Sequence, residues 1–185
     1  MTFSRRTQFR LLGLLPLIFF LAQFVHYSRT NELGNMFWMC NIGNLILATG
    51  LFLEKPVPIR LAAIWTLPGL VVWFLYVVLT WGVFFTSTLA HVGGIIVAMI
   101  ALSYYGMDRT AWRWALGWSL VIQLASRFFT APQLNVNLAH AVQAGWPFQS
   151  YWTFWLVLTA ATIVTLWVCG WVLWRIWPAP LQDIP

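Results

Sequence analysis

Long apolar stretches that carry no acidic or basic side chain constrain this chain more than any other feature. Hydrophobic residues fill 61% of its 185 positions and charged residues only 8%, whereas charged residues make up about a quarter of an average globular chain. A soluble domain of this size could not bury so much apolar surface. We therefore expect an all-α integral membrane protein, because a helix satisfies its backbone hydrogen bonds internally within lipid.

Apolar stretches of about 20 residues, the length that crosses a bilayer, predict how the chain is organised. They indicate a polytopic bundle of six transmembrane helices in a single domain, residues 1–178, followed by a short Pro-rich tail, residues 179–185. Basic residues precede the first stretch as in a signal peptide, but no small-residue cleavage site follows, so we expect this helix to be retained. The predicted spans cover approximately residues 10–27, 35–53, 58–80, 83–105, 111–130 and 150–177.

The longest segment between predicted spans runs from Phe129 to Ser150 and has no clear periodicity. Long irregular segments are unusual in compact proteins and often carry function. We expect this one to be a re-entrant or interfacial segment that packs over the bundle.

The basic residues predict the orientation of the bundle. The net charge of +6 comes from ten basic and four acidic residues, spread along the chain without the patch that nucleic-acid binding requires. The positive-inside rule instead places both termini in the cytoplasm. We expect the protein to lie in a bacterial cytoplasmic membrane. Its expected partners are membrane lipids and the other subunits of any larger membrane complex. Only Arg29 and Arg127 then lie on the outer side. The cytoplasmic basic residues are Arg5, Arg6, Arg10, Lys55, Arg60, Arg109, Arg113 and Arg175.

One thiol and all three histidines fall in the outer third of the predicted membrane, at Cys40, His26, His91 and His140. A thiol becomes an effective nucleophile when a nearby base takes its proton. His91 is the predicted base, provided that the second and fourth spans touch. Asn44 follows Cys40 by one turn on the same helix face, and its amide is a candidate donor to a developing oxyanion.

This grouping predicts an intramembrane lipid acyl hydrolase or acyltransferase that needs no cofactor. Cys40 would attack an acyl ester, form a thioester and pass the acyl group to water or to another lipid. The site would open laterally to the outer leaflet, where lipid esters are found. The predicted substrate-binding residues are Asn41, Arg127 as a ligand for lipid phosphate, Asn137 and His140.

Short motifs occur in the second and fourth predicted spans and in the segment before the last span. They are Met39-Cys40-Asn41-Ile42-Gly43-Asn44-Leu45 through Gly50-Leu51-Phe52, Leu89-Ala90-His91-Val92-Gly93, and Asn135-Val136-Asn137. They resemble the motifs of YwaF-type integral membrane proteins, a group that includes the eukaryotic membrane acyltransferase that remodels plasmalogens through a cysteine. More distantly, the pattern is similar to that of the androgen-induced intramembrane hydrolases, which use a threonine and a histidine.

The resemblance covers about residues 35–160 and implies a six-span bundle with Cys40 as nucleophile and His91 as base. The sequence departs from the family pattern at two points. Asn41 stands where the family has an aspartate, and the Gly-Thr-Asn-Tyr run of the fifth loop is absent.

Two other functions fit the same residues. His26, His91 and His140 could form a three-imidazole zinc or iron site with an open position for water, which would support hydrolysis without the thiol. Alternatively, the chain could be a non-catalytic small subunit, or a scaffold that binds a lipid or pigment in a larger membrane complex. The second cysteine, Cys169 in the last span, is expected only to pack.

Overall fold

The computed structural model describes residues 5–80, 82 and 84–179. Every regular element in these residues is a helix, as the apolar composition predicts. The predicted Pro-rich tail, apart from Ala179, lies outside the described residues.

Six long helices account for most of the described chain, and each coincides with one of the predicted spans. They are α1 (Arg5–Arg29), α2 (Met39–Leu53), α3 (Pro56–Thr80), α4 (Phe85–Tyr105), α5 (Ala111–Phe129) and α6 (Tyr151–Ile176). Short 3₁₀ turns, at Leu33–Phe37, Pro132–Leu134 and Val136–Leu138, lie in two of the connections.

Four of these helices are long and apolar enough to cross a membrane: α1 from Thr7, α3, α4 and α6. With 15 residues, α2 is about 22 Å long, which is shorter than a hydrocarbon core of about 30 Å. Helix α5 has 19 residues but contains two arginines, a glutamine and two serines. The described residues therefore contain four helices that could span a membrane, as expected of a helical membrane protein, and the six-span count stays a prediction.

Helix α3 lies at the centre of the bundle, where it contacts α2, α4, α5 and α6. Its residues from Ile59 to Thr66 are all buried, whereas most side chains from Val71 to Thr80 are exposed. The change occurs at Pro68 and Gly69. The bundle is therefore tightly packed at one end of α3 and open at the other.

The packed end contains a buried cation. Arg60, only 5% exposed, donates from Nε to the carbonyl of Gly106 at 2.9 Å and from Nη2 to the carbonyl of Tyr105 at 3.1 Å. These carbonyls end α4, so the guanidinium satisfies groups that a helix C-terminus leaves without partners. The nearby Met107 amide donates to the carbonyl of Trp177, which joins the end of α4 to the end of α6.

Most basic residues therefore gather at this packed end, which we call the basic end. It contains the start of α1, the two connections α2–α3 and α4–α5, and the end of α6. Only Arg29 and Arg127 lie at the opposite end. The prediction that both termini lie in the cytoplasm depends on this distribution of basic residues, and it stays a prediction.

Candidate functional site

A cavity of about 570 Å³ lies between α1, α3, α4, α6 and the start of α2, in the half of the bundle away from the basic end. Its walls are mostly aromatic and aliphatic, and no described acidic or basic side chain other than His91 lines it. Val72 of α3 and Ala161 and Thr165 of α6 both line the cavity and are exposed. The cavity therefore opens sideways between α3 and α6.

Cys40 lines this cavity as the second residue of α2. Its thiol is free and partly buried. The residue across from it on α3 is Gly69, where an added β-carbon would lie 3.9 Å from the Cβ of Cys40. Because glycine has no side chain, α3 leaves space beside Cys40.

His91 lines the same cavity from a single π-helical turn, Leu89–Gly93, within α4. Such turns are rare and occur frequently at functional sites. Nδ1 of His91 lies 2.8 Å from the carbonyl oxygen of Ser87. A carbonyl can only accept a hydrogen bond, so Nδ1 carries the hydrogen and Nε2 of the neutral ring has the lone pair.

Trp73 of α3 fixes the plane of the imidazole. The two rings stack with their centroids 5.4 Å apart and their planes 15° apart. The indole Nε1 of Trp73 donates to the hydroxyl of Ser87 at 2.9 Å, while the Ser87 carbonyl holds the imidazole. His91 is therefore oriented by a hydrogen bond from its own helix and by stacking on α3.

Cys40 and His91 pack against residues on successive turns of one face of α3. Gly69, which faces Cys40, and Trp73, which stacks on His91, are four residues apart, and residues at this spacing lie on the same side of a helix. Asn44 connects the same two helices directly, because its Nδ2 donates to the carbonyls of Cys40 at 2.9 Å and Ala90 at 3.0 Å. Cys40 and His91 therefore line the same cavity, and in the described residues no hydrogen bond joins the sulfur to the imidazole.

Asn44 has a different place from the predicted one. It is completely buried, does not line the cavity, and has both Nδ2 hydrogens engaged by backbone carbonyls, so none is left for an oxyanion. Its Oδ1 would lie 2.7 Å from a β-carbon on Gly94, a close approach that only glycine permits. Asn44 positions α2 against α4.

Asn41 also lies outside the cavity lining. The residue is buried, and its Nδ2 donates to the carbonyl of Asn35 at 2.9 Å. This bond holds the 3₁₀ turn that leads into α2.

Asn137 lines the cavity and connects the long irregular segment to the start of α2. Its Oδ1 accepts from the amide of Met39 at 3.2 Å, and its Nδ2 donates to the carbonyl of Phe37 at 2.7 Å and to Oγ of Ser126 at 2.9 Å. The backbone is left-handed, with φ of 53°, a conformation in which asparagine is enriched. Asn137 thus fixes the turn that carries Cys40.

Arg127 and His140 hold this segment from outside the cavity. Nη1 of Arg127 donates to the carbonyl of Ala139 at 2.7 Å, and the guanidinium lies over the ring of Tyr151. Nε2 of His140 lies 3.1 Å from Oγ1 of Thr130. Neither residue lines the cavity, so the predicted role of Arg127 and His140 in substrate binding would have to be outside it.

The three histidines predicted as an alternative metal site have separate surroundings. His26 stacks on Phe84 at a centroid distance of 4.6 Å, His91 stacks on Trp73, and His140 binds the end of α5. In the part of the chain that the structure describes, no group of three or more His, Cys, Asp or Glu side chains could hold a metal ion. The three-imidazole site is therefore not formed.

Gln23 is a cavity residue that the sequence analysis missed. It lines the cavity and is 1% exposed. Its Oε1 accepts a hydrogen bond from Oγ1 of Thr86 on α4 at 2.8 Å. A signal was present in the sequence, because Gln23 has the only polar side chain between Leu11 and Val25.

No protein-family model, curated protein or solved structure matches this chain. The resemblance to YwaF-type proteins stays a prediction.

Proposed function

We propose that this protein is an intramembrane acyl hydrolase or acyltransferase with Cys40 as nucleophile and His91 as general base. One observation carries the proposal: both residues line a single cavity with a lateral opening, and the hydrogen bond from Nδ1 to the Ser87 carbonyl leaves Nε2 of the neutral His91 ring as an acceptor. Volumes of roughly 300–1,000 Å³ are typical of small-molecule sites. A cavity that contains both groups favours catalysis over a purely structural subunit.

The reaction starts with proton transfer from the thiol of Cys40 to Nε2 of His91. The sulfur lone pair forms a bond to the carbonyl carbon of an ester, and the carbonyl electrons move to the oxygen. When the tetrahedral intermediate collapses, the carbon–oxygen ester bond breaks, and the departing alkoxide takes the proton from His91. The products of this half-reaction are an alcohol and an S-acyl enzyme.

The second half-reaction reverses these steps with a new acceptor. His91 takes a proton from water or from an alcohol, whose oxygen attacks the thioester carbon. The carbon–sulfur bond breaks, and the sulfur regains the proton from His91. Water gives a free acid and net hydrolysis, whereas a lipid alcohol gives a new ester and net acyl transfer.

The uncharged cavity wall and its lateral opening support a lipid ester as the acyl donor. An acyl chain enters between α3 and α6 from the bilayer without crossing water. A phosphate or carboxylate would find no arginine or lysine among the described lining residues. The charged part of any lipid substrate therefore stays outside the cavity.

The S-acyl intermediate provides the test. Purified protein is incubated with a 4-nitrophenyl ester of palmitic acid, and the acyl group on each cysteine is located by mass spectrometry before and after treatment with hydroxylamine, which cleaves thioesters. We expect a hydroxylamine-sensitive adduct on Cys40 that is absent from Cys40→Ala. The matched control is Cys169→Ala, because Cys169 is the other free cysteine of the described chain and does not line the cavity. An adduct that persists in Cys40→Ala, or the lack of any adduct on Cys40, would contradict the proposal.

A further inference from the structure

We propose that the cavity binds an uncharged long-chain ester or amide, and that the side-chain amide of Gln23 donates a hydrogen bond to the carbonyl oxygen of this ligand. The inference builds on the proposed acyl-transfer site, but it concerns binding and does not require the covalent step.

The hydrogen bonds of Gln23 leave one group without a partner. Its Oε1 accepts from Thr86, and among the described residues no group accepts from its Nε2. The residue is only 1% exposed, and it lines the cavity. The fully enclosed side-chain polar atoms without a partner in the described residues are Asn41 Oδ1, Asn44 Oδ1 and Thr159 Oγ1. Nε2 of Gln23 is not one of them, so it is accessible from the cavity, where a ligand carbonyl would supply an acceptor.

Several other donors on or near this wall are already engaged. Both Nδ2 hydrogens of Asn44 are bound to carbonyls, and those of Asn137 are bound to a carbonyl and a hydroxyl. Nε1 of Trp73 donates to a hydroxyl, and Nδ1 of His91 donates to a carbonyl. Gln23 is therefore a nearly fully buried amide that lines the cavity and whose Nε2 donates to no described group.

Helix packing places Gln23 beside His91. Phe19 lies one turn before Gln23 on α1, and its ring would be 2.7 Å from a β-carbon on Gly93, in the π-helical turn. Gln23 binds Thr86, and the adjacent Ser87 holds the imidazole of His91. A carbonyl bound to Gln23 would thus lie at the part of the wall that also contains the base.

The lining residues define the chemical class of the ligand. An amide N–H needs an acceptor such as a carbonyl oxygen, and the remaining wall, which includes Trp38, Trp65 and Tyr76, suits a hydrocarbon chain. A fatty-acid anion would bring a charge into a site whose described lining has no arginine or lysine. Desolvating an unpaired charge is strongly unfavourable. The ligand is therefore uncharged within the cavity.

Binding is measured on the full chain with Cys40→Ala, so that no acyl transfer interferes. Tritiated methyl palmitate is bound to protein immobilised on scintillation beads, and hexadecane and palmitate anion compete for it. We expect methyl palmitate to bind about fivefold more tightly than hexadecane, the equivalent of one neutral hydrogen bond. Palmitate anion is expected to bind more weakly than the ester.

The variant Gln23→Met keeps the length of the side chain but removes the amide. It should lose the fivefold preference for the ester while its affinity for hexadecane stays the same. The matched control is Gln123→Met, because Gln123 is a buried glutamine of α5 that does not line the cavity. This control should keep the preference for the ester.

Three results would overturn the inference. The first is equal binding of ester and hexadecane to the Cys40→Ala protein that keeps Gln23, and the second is an ester preference that survives Gln23→Met. The third is palmitate anion that competes as well as the ester. The first and third need no Gln23 variant, so the test remains decisive even if Gln23→Met does not fold. Ester binding that depends on Gln23 in a protein that forms no S-acyl adduct would support this inference and contradict the proposed function.

Discussion

Adding one methyl group at Gly94 should destabilise the contact between α2 and α4. A β-carbon at this position would lie 2.7 Å from Oδ1 and 3.3 Å from Nδ2 of Asn44, closer than ordinary van der Waals contact. Asn44 cannot move away easily, because it is completely buried and bound to the carbonyls of Cys40 and Ala90. The Gly94→Ala variant must therefore strain the packing or break a hydrogen bond.

The expected loss of unfolding free energy combines two destabilising contributions and one stabilising contribution. Overpacking of a buried site costs about 1–3 kcal/mol, and the loss of one hydrogen bond of Asn44 costs about 1 kcal/mol. Replacing glycine by alanine within a helix returns about 1 kcal/mol. We expect Gly94→Ala to lower the free energy of unfolding by about 1–3 kcal/mol on balance.

A stabilising change is expected at Gly117, an exposed glycine of α5 where an added β-carbon has no neighbour within 4 Å. Gly117→Ala should raise the free energy of unfolding by up to about 1 kcal/mol. Both variants are unfolded in mixed detergent micelles by increasing the fraction of dodecyl sulfate, and helix content is followed by circular dichroism. A Gly94→Ala variant as stable as the unmodified protein would refute the claim that Asn44 holds α2 against α4 at this point.

Three more results are expected. His91→Ala should slow formation of the S-acyl adduct by roughly 10²–10⁴-fold, the usual contribution of a general base, in a time course with the 4-nitrophenyl ester; an unchanged rate would remove His91 from the mechanism. Asn137→Ala should lower the free energy of unfolding by about 2–4 kcal/mol, because three hydrogen bonds are lost, whereas Asn31→Ala, at an exposed residue with a similar φ of 59°, should cost only about 1 kcal/mol of left-handed strain. Burial raises the pKa of Asp108, but hydrogen bonds from the hydroxyl and amide of Thr110 outweigh this effect and hold that pKa below its usual value. The free energy of unfolding should therefore decline as the pH falls below about 4. This decline should be smaller in Asp108→Asn.

The positions of the helices were predictable from local sequence, but their rotations were not. Apolar stretches and turn residues such as Gly106, with φ of 63°, mark where helices begin and end. Helices that are apolar all round give no sign of which face points inward, and α1 is of this kind. Gln23 is the exception, because it has the only polar side chain between Leu11 and Val25 and marks the inward face of this helix.

Helix α5 shows the opposite case. Its buried polar residues Ser119, Gln123 and Ser126 follow the spacing of one helix face, so the inward face of this helix can be read from the sequence. The role of Asn44 could not be read in this way. Its spacing from Cys40 is local, whereas its bond to Ala90 joins residues 46 apart, and such a contact depends on how two helices pack.

The π-helical turn puts the two ends of α4 out of phase. A π-helical turn contains one residue more than a regular turn, and one residue corresponds to about 100° of helical rotation. Thr86 and Ser87 before the turn can therefore face Gln23 and the cavity while Ala98 and Leu102 after it fill the packed end. Removing one residue from Leu89–Gly93 would rotate the first part of the helix about its axis by about 100° relative to the second part, which would turn Thr86 and Ser87 away from Gln23 and the cavity.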